Sequence, residues 1–520
     1  MNDRINLAFM KLSKRAEGIE RGTLIETFAD VGPLAMLLRS HDHQIIYGRR
    51  GTGKTHALNY LAGTVSPDSG FAIYVDMRTI GSTGGLYSDP QVSLAERATR
   101  LLMDTLAAFH EGMLEHILNS ADINLTEAGS VMDRFAEAVT EVTVAGPVET
   151  EVTRKQSDKQ TSGSDVKGGF AKGLTSSLAF SAADELTAEA GDSIRRSGLP
   201  QHRVHFGRVG QVLQALIATL GSRRVWLLLD EWSSVPFDLQ PYLADLLRRS
   251  AFPIRGITVK IAAIEQRTNL QLIGPRGDYI GIEIGADASA NLNLDDFMVF
   301  ENDPARATHF FQELLFKHFA SVAVEPEIRS AHRLIGMAFT QRNTFEEFVR
   351  AAEGVPRDAI NILSLAAQRA GGNPIAVENV RAAARSWYVR DKEAAVAANR
   401  NAQALLNWII DEVIAHRRAR AFLLRSGTQH DLIDALFDAR VLHLLKRSMS
   451  THDQPGARYD AYKIDYGCYV DLLATAKAPL GLLPSESTDA TVVYADVPPD
   501  DYRAVRRAIL DFETFEEALG

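Results

Sequence analysis

The chain has a single cysteine, Cys468, among 520 residues. No internal disulfide can form, and no cysteine-rich metal site exists. A lone thiol fits a reducing compartment. No run approaches the roughly 18 apolar residues that a bilayer-spanning helix needs. The opening stretch, residues 1–18, lacks the apolar core of a signal peptide. Basic side chains are also in deficit: 56 Lys and Arg face 66 Asp and Glu, for a net charge of −10. That balance argues against a general polyanion binder, although a local basic patch remains compatible with it. There is no internal repeat. No Ser-His-Asp, Cys-His or metal-ligand cluster stands at motif spacing. Scattered histidines such as His41, His43, His202 and His205 read as surface or packing residues. The expectation is a soluble, cytoplasmic protein with no membrane partner.

What is present is hydrophobic patterning. Hydrophobic residues make up 46% of the chain, enough to bury a sizeable core, and the length suggests about three domains. Residues 1–43 read as mostly helical. Buried strands are expected at residues 43–47, 71–75, 225–229 and 257–264, with a fifth at 279–284. Helices lie between them, including long amphipathic ones over 90–140 and one over 239–250. Strands alternating with helices imply an α/β fold with a parallel sheet covered on both faces. Residues 141–145 and 148–153 alternate with period two as half-buried strands, with Gly146 and Pro147 as a turn between them. They open an insertion, about 141–200, whose Lys155–Ser181 stretch is rich in Ser, Thr, Gly and Lys. Arg154, Lys155, Lys159, Lys167 and Lys172 give it a basic cast, so the reading is a solvated loop or an arm that reaches a partner. From Asp303 the pattern is helical, with Asp303 and Pro304 as a helix start. Further helices are expected at 344–353, 356–369, 377–388, 402–416 and 431–436. A ribbon should pair 443–448 with 459–465, and a small strand follows at 491–494.

Two motifs carry chemistry. The first is Gly48, Arg49, Arg50, Gly51, Thr52, Gly53, Lys54 and Thr55, with His56 next. It follows a buried strand and opens a helix. The spacing Gly-x-x-x-x-Gly-Lys-Thr fits a loop whose backbone N–H groups cradle phosphates. The helix start adds its positive dipole end. Lys54 would reach the β- and γ-phosphates of ATP, and the Thr55 hydroxyl would ligate Mg²⁺. The second motif is the apolar strand 225–229, which ends in Asp230 and Glu231. Ligands of α/β folds bind at the carboxyl edge of the sheet. Asp230 would hold the metal, directly or through water, and Glu231 would polarise an attacking water.

Taken in order, Gly48–Thr55, Leu227–Glu231, Ile261–Gln266, the run Gly354-Val-Pro-Arg-Asp-Ala359 and the helix at 375–384 resemble the AAA+ ATPases. Within them the resemblance is to the origin-recognition and replication-initiator branch. It covers about Thr23 to Asp471. It implies a P-loop parallel sheet forming an AAA+ core, a helical lid and a C-terminal winged-helix domain. The boundaries would be 1–300 for the core, 301–395 for the lid, 396–480 for the winged-helix-like domain and 481–520 for a C-terminal extension. Carried over by position, Gln266 would be the first sensor residue, with Glu265 as the alternative. Arg357 would be the second sensor, touching the γ-phosphate. The arginine that completes a neighbour's site would be Arg276, with Arg267 as the alternative. The resemblance implies an oligomerising ATPase that loads or remodels a partner on DNA. Arg417, Arg418, Arg420 and Arg425, with Lys446 and Arg447 near the ribbon, would supply phosphate contacts. The alternative is a STAND-like signalling or antiphage-defence ATPase that controls an effector protein. The insertion and the acidic balance support that alternative.

Overall fold

A computed structural model describes residues 1–13, 19–30, 33–80, 85–140, 142–154, 192–202, 204–275, 277–299, 303–323, 325–428, 430–450, 457–475, 483–485, 493–495, 509–510 and 515. The fold is mixed α/β. Its principal sheet holds five strands: β1 (Gln44–Tyr47), β2 (Gly70–Asp76), β5 (Arg224–Asp230), β6 (Ile257–Ala263) and β9 (Ser289–Asn293). They lie in the order β2-β5-β6-β1-β9. The pairs β1–β9 and β2–β5 are parallel. The chain divides into two compact units, residues 65–260 with 268–288, and residues 1–64 with 261–267 and 289–520.

In the first of these, β5 is buried along all but its first residue. That explains its near-continuous apolar sequence, since a parallel strand covered on both faces has no polar side. It runs beside β2 in unbroken register from Gly70 opposite Arg224 to Asp76 opposite Asp230. Gly70 has to be glycine, because an added Cβ would sit 2.3 Å from the Arg224 carbonyl oxygen. The helix Leu94–Leu118 starts where the Ser93 side chain accepts from the Glu96 N–H. The helix Leu125–Val139 starts where Asn124 does the same for Thr126 and Glu127. Such caps satisfy first-turn donors that have no partner within the helix. Phe109, Met113, Ile117 and Phe135 face inward from these two helices.

Two expectations fail in this unit. Residues 142–154 form one strand, β3, rather than a hairpin turning at Gly146 and Pro147. β3 pairs antiparallel with β4 (Asp192–His202), and the register shifts between Ala145 and Glu149. The Gly-Pro step therefore marks a bulge: proline cannot donate to a ladder, and a bulge tolerates that loss. The segment 279–284 does not supply the fifth strand of the main sheet. β8 (Tyr279–Gly281) instead folds back on β7 (Gln271–Ile273), and β9 takes the fifth place. The stretch Lys155–Ser181 lies outside the described residues.

In the second unit, β1 leads through the glycine loop into the helix Lys54–Thr64. A helical array follows: Pro304–Val322, Ala331–Ala338, Arg342–Ala351, Pro356–Ala370 and Val377–Asp391. The Asp303 side chain accepts from the Arg306 N–H at 2.9 Å, so the expected aspartate cap with proline in the first turn is present. The N-terminal helix Asn2–Lys11 seats on this array. Asn6 donates to the carbonyls of Gly371 and Asn373 at 2.6 and 2.9 Å, and Phe9 meets Phe319 edge-on. Beyond the array, the helix Arg400–Ile409 continues as a wide turn over Ile410–His416. The expected ribbon is present as β11 (Leu442–Ser450) and β12 (Arg458–Ile464). β10 (Ala421–Arg425), absent from the sequence reading, pairs with the other edge of β12. Its apolar side chains pack with Val299, Leu445, Tyr459 and Ala461 into a small core. A short pair, β13 (Leu483–Ser485) with β14 (Val493–Ala495), lies near the end of the chain.

Candidate active site

The glycine loop leaves β1 at Tyr47. Gly51 and Gly53 have φ of 90° and 94°, backbone that other residues adopt only under strain. Gly48 is fixed by space: an added Cβ would lie 2.5 Å from Thr52 Oγ1 and 3.3 Å from Leu294 Cβ. Thr52 Oγ1 donates to the Arg49 carbonyl at 2.8 Å, closing the turn. The Lys54 ammonium folds back on the loop, donating to the carbonyls of Gly48 and Arg49 at 2.9 and 3.0 Å. It is 8% exposed, so an anion entering the loop would find a desolvated cation already inside it.

The loop faces the start of the helix Pro356–Ala370. The Arg357 N–H donates to the Gly51 carbonyl at 3.3 Å. A Cβ on Gly51 would come within 3.0 Å of Val355 Cγ1 and 3.2 Å of Arg357 Nε. The structure thus brings Gly51 and Arg357 together. The buried Nε and Nη2 of Arg357 have no hydrogen-bond partner among the described residues. Its guanidinium lies 3.8 Å from Asp358 Oδ1. Burial lowers its proton affinity, Asp358 opposes that effect, and Arg440 and Arg50 reinforce it. A buried donor without a partner carries a free-energy cost that an incoming acceptor would remove.

The other loop residues divide by environment. Arg50 is exposed. Arg49 is buried and structural, with its backbone N–H and Nε donating to Asp295 at 3.0 and 2.8 Å and Nη2 donating to the Glu353 carbonyl at 2.6 Å. His56 turns toward the N-terminal segment. Its Nε2 lies 2.6 Å from the Leu24 carbonyl oxygen, which can only accept, so Nε2 carries the proton. Burial holds this imidazole neutral. The Thr55 side chain is half-buried at the helix start.

In the other unit, the Asp230 carboxylate at the end of β5 is fully buried. It accepts from the Tyr74 hydroxyl at 2.7 Å and from the Glu231 N–H at 2.8 Å. Burial, and then the Asp230 charge, raise the Tyr74 phenol far above its ordinary range and keep it a donor. Tyr74 is a site residue that sequence reasoning missed; its only signal is a place in β2 opposite Leu228. Glu231 has a φ of 52°, and its carboxylate lies 3.9 Å from Arg78. The turn that follows is anchored by Trp232, whose Nε1 donates to Gln240 at 3.1 Å. Gln240 in turn donates to the Val235 carbonyl at 3.0 Å. That lock ties the turn after β5 to the start of the helix Gln240–Ser250.

The remaining candidates are less defined. Gln266 is exposed in the short turn after β6. Glu265 beside it pairs with Arg447 at 3.3 Å. Burial, and then this carboxylate, push the Tyr47 phenol up to about 12. Arg267 is held by Asp438, with Nε donating at 2.9 Å. Arg276 lies outside the described residues.

The cradle fits a nucleotide phosphate: side-chain volume is excluded at Gly48 and Gly51, a buried ammonium lies in the loop, and a guanidinium with two donors free of hydrogen bonds borders it. Among the described residues no group of three or more His, Cys, Asp and Glu side chains converges on a metal. Mg²⁺ takes few protein oxygens and completes its shell with phosphate and water. Asp230 and Thr55 are the oxygen donors that the two motifs assign to it.

Buried charge continues behind the loop. The Lys392 ammonium sits between Asp358 and Asp465 at 2.8 and 2.5 Å. His443 Nε2 donates to Asp465 at 3.3 Å. Burial, with the Arg49 charge next, pushes His443 down to about 4 against the opposing pull of Asp465. In the unfolded chain a histidine titrates near 6.5. The unfolded state therefore binds the extra proton first, and stability falls as pH drops from about 6.5 toward 4. The full effect is roughly 3 kcal/mol. Urea unfolding of wild type and His443→Gln across that range checks this: the variant should show the flatter profile, and parallel profiles would reject it.

No protein-family model matches the chain, and no curated protein does. Among solved structures it is similar to the Aeropyrum pernix Orc1 protein in complex with DNA. The likeness has 13% identity and a TM-score of 0.31, and it covers 88% of this chain and 93% of that one. No helix among the described residues is long and apolar enough to cross a membrane.

Proposed function

We propose that the chain binds ATP with Mg²⁺ in the Gly48–Thr55 loop and hydrolyses it, as an AAA+ protein of the initiator-like branch. One observation carries this reading: the glycine loop abuts a half-buried arginine whose Nε and Nη2 have no hydrogen-bond partner among the described residues. Lys54 and the loop N–H groups hold the β- and γ-phosphates, and Arg357 contacts the γ-phosphate. Asp230 and Thr55 are assigned to the metal by their motif positions, and Glu231 orients the attacking water. The bound metal supplies charge neutralisation at the phosphates. Residues 1–300 form the core, 301–395 the lid and 396–480 the winged-helix-like domain. Gln266 is the first sensor.

Arg276 acts on the site of a neighbouring copy. Arg276→Ala should keep ATP affinity and lose assembly-dependent hydrolysis; unchanged turnover in the assembled form removes it from the role.

The output is an oligomerising loader or remodelling switch associated with DNA. Two of the basic residues on which DNA contact would depend already pair with acids: Arg417 with Glu412 at 3.0 Å and Arg447 with Glu265 at 3.3 Å. That observation favours the second reading, a STAND-like signalling or defence ATPase acting on a protein effector. Titration with a fluorescent ATP analogue, followed by turnover with and without duplex DNA, tests both. Absence of nucleotide binding ends the ATPase reading. Stimulation by DNA with steep salt dependence supports the loader; indifference at low salt supports the effector switch.

A further inference from the structure

The helix Arg342–Ala351 ends in two successive left-handed residues, Glu353 with φ 54° and Gly354 with φ 72°. Gly354 needs that freedom, because a Cβ there would lie 2.9 Å from the Met298 carbonyl oxygen. Glu353 is different. A glutamate in this region costs roughly 1 kcal/mol or more that glycine would not, so its side chain must contribute something in return. Its backbone carbonyl accepts from Arg49 of the glycine loop at 2.6 Å. Its carboxylate takes the Lys463 ammonium of β12 at 2.5 Å and the Tyr466 N–H at 3.0 Å. The two charged side chains are 2% and 1% exposed. Buried pairs of this kind contribute little net stability, because desolvation offsets their attraction; their best-attested use is to fix register. One residue therefore grips the phosphate loop through its main chain and the three-stranded module through its side chain.

The spacing adds to the argument. Arg357 is four residues further on, across Gly354, Val355 and Pro356. Its N–H is bonded to Gly51, and two of its side-chain donors await an acceptor. A proline and two bonded ends leave this segment little slack.

We propose that Glu353 is a positioning residue that carries occupancy of the glycine loop to β12 through Lys463 and Tyr466, making the module of β10, β11 and β12 the element that reads the nucleotide state. This rests on the ATP reading above. A triphosphate that draws in Arg357 shifts residues 353–357, and the buried pair obliges β12 to follow.

The test uses the full chain with a non-hydrolysable ATP analogue. Nucleotide affinity is measured by titration, and hydrogen exchange is followed in peptides covering residues 458–469. In wild type, nucleotide should change exchange in these peptides by about fivefold or more. Glu353→Gln combined with Lys463→Met removes both charges together. The new amide oxygen still accepts from the Tyr466 N–H, and no lone charge is buried. This double variant should bind nucleotide within about threefold of wild type and lose the exchange response. Lys463→Arg, which keeps the pair, should retain it. A wild type that binds nucleotide without any response in residues 458–469 overturns the inference and leaves the ATP reading standing. So does a double variant that responds like wild type. If the double variant fails to fold, wild type and Lys463→Arg decide: loss of the response in Lys463→Arg, with affinity kept, also counts against the inference. A wild type that binds no nucleotide removes both.

Discussion

Glu231→Gln should leave ATP bound and cut turnover by about 10²- to 10⁴-fold, the range that general-base assistance contributes. The substitution is close to isosteric. It keeps the strained φ of 52° and the backbone N–H that donates to Asp230. Only the capacity to take a proton is lost. The neighbouring Arg78 interaction spans 3.9 Å between partly exposed groups and is worth too little to unfold the site. Thermal stability should therefore stay near that of wild type while phosphate release collapses. The stalled protein should also retain whatever partner prefers the ATP state, so a pull-down with this variant is the most direct route to that partner. Turnover within threefold of wild type would assign the water to another residue.

Lys392→Met should be among the most destabilising single changes in the chain, at about 3–5 kcal/mol. The ammonium is nearly fully buried and pairs with Asp358 and Asp465 at once. Methionine fills most of the volume but leaves two carboxylates facing each other without a cation. The Asp465 carboxyl is held well below the usual carboxylate range: burial opposes this, and the Lys392 charge, followed by His443, prevails. A depressed carboxylate contributes stability above its unfolded value near 3.9 and loses it as pH falls through the folded value. The gap between wild type and Lys392→Met should accordingly be widest near neutrality and close in acid. Urea unfolding at pH 7 and at about pH 3, below the unfolded carboxyl value near 3.9, reads this directly. Adding Asp358→Asn and Asp465→Asn to the variant should recover most of the loss at pH 7. A gap that stays constant with pH would mean that lost packing, rather than unpaired charge, is the cause.

The sequence is most legible where one physical constraint dominates. β1, β2, β5 and β6 are largely apolar because both faces are covered, and the apolar pattern places each within about a residue or two of its observed ends, even with Thr258 and Lys260 buried in β6. The glycine loop can be read because backbone with positive φ leaves few choices of residue. β9 escapes because Ser289–Asn293 mixes polar and apolar residues, while residues 279–284 offer a stronger β-forming sequence. That sequence goes into a local hairpin instead. β10 escapes because Ala421–Arg425 is short and follows an arginine-rich stretch that draws the reading toward charge. The buried pair Glu353–Lys463 and the buried cluster of Asp358, Lys392 and Asp465 are invisible in principle: hydrophobic patterning treats charge as surface, and nothing local says that these charged side chains will pair in the interior. Arg357 is found through its resemblance, but the lack of hydrogen bonds at its Nε and Nη2 can come only from three dimensions.

The far end of the chain closes an open edge. Ile509 bridges to Leu423, the Leu510 N–H donates to the Leu423 carbonyl at 2.9 Å, and the Ile509 carbonyl takes Arg417 at 3.1 Å. These bonds occupy the side of β10 that β12 does not. A chain cut short before residue 509 would leave the Leu423 carbonyl of an apolar strand without this bond, and an open strand edge is a template for sticking to copies of itself. Insolubility of such truncations would then reflect an uncovered ribbon edge, with no bearing on whether the nucleotide chemistry is intact.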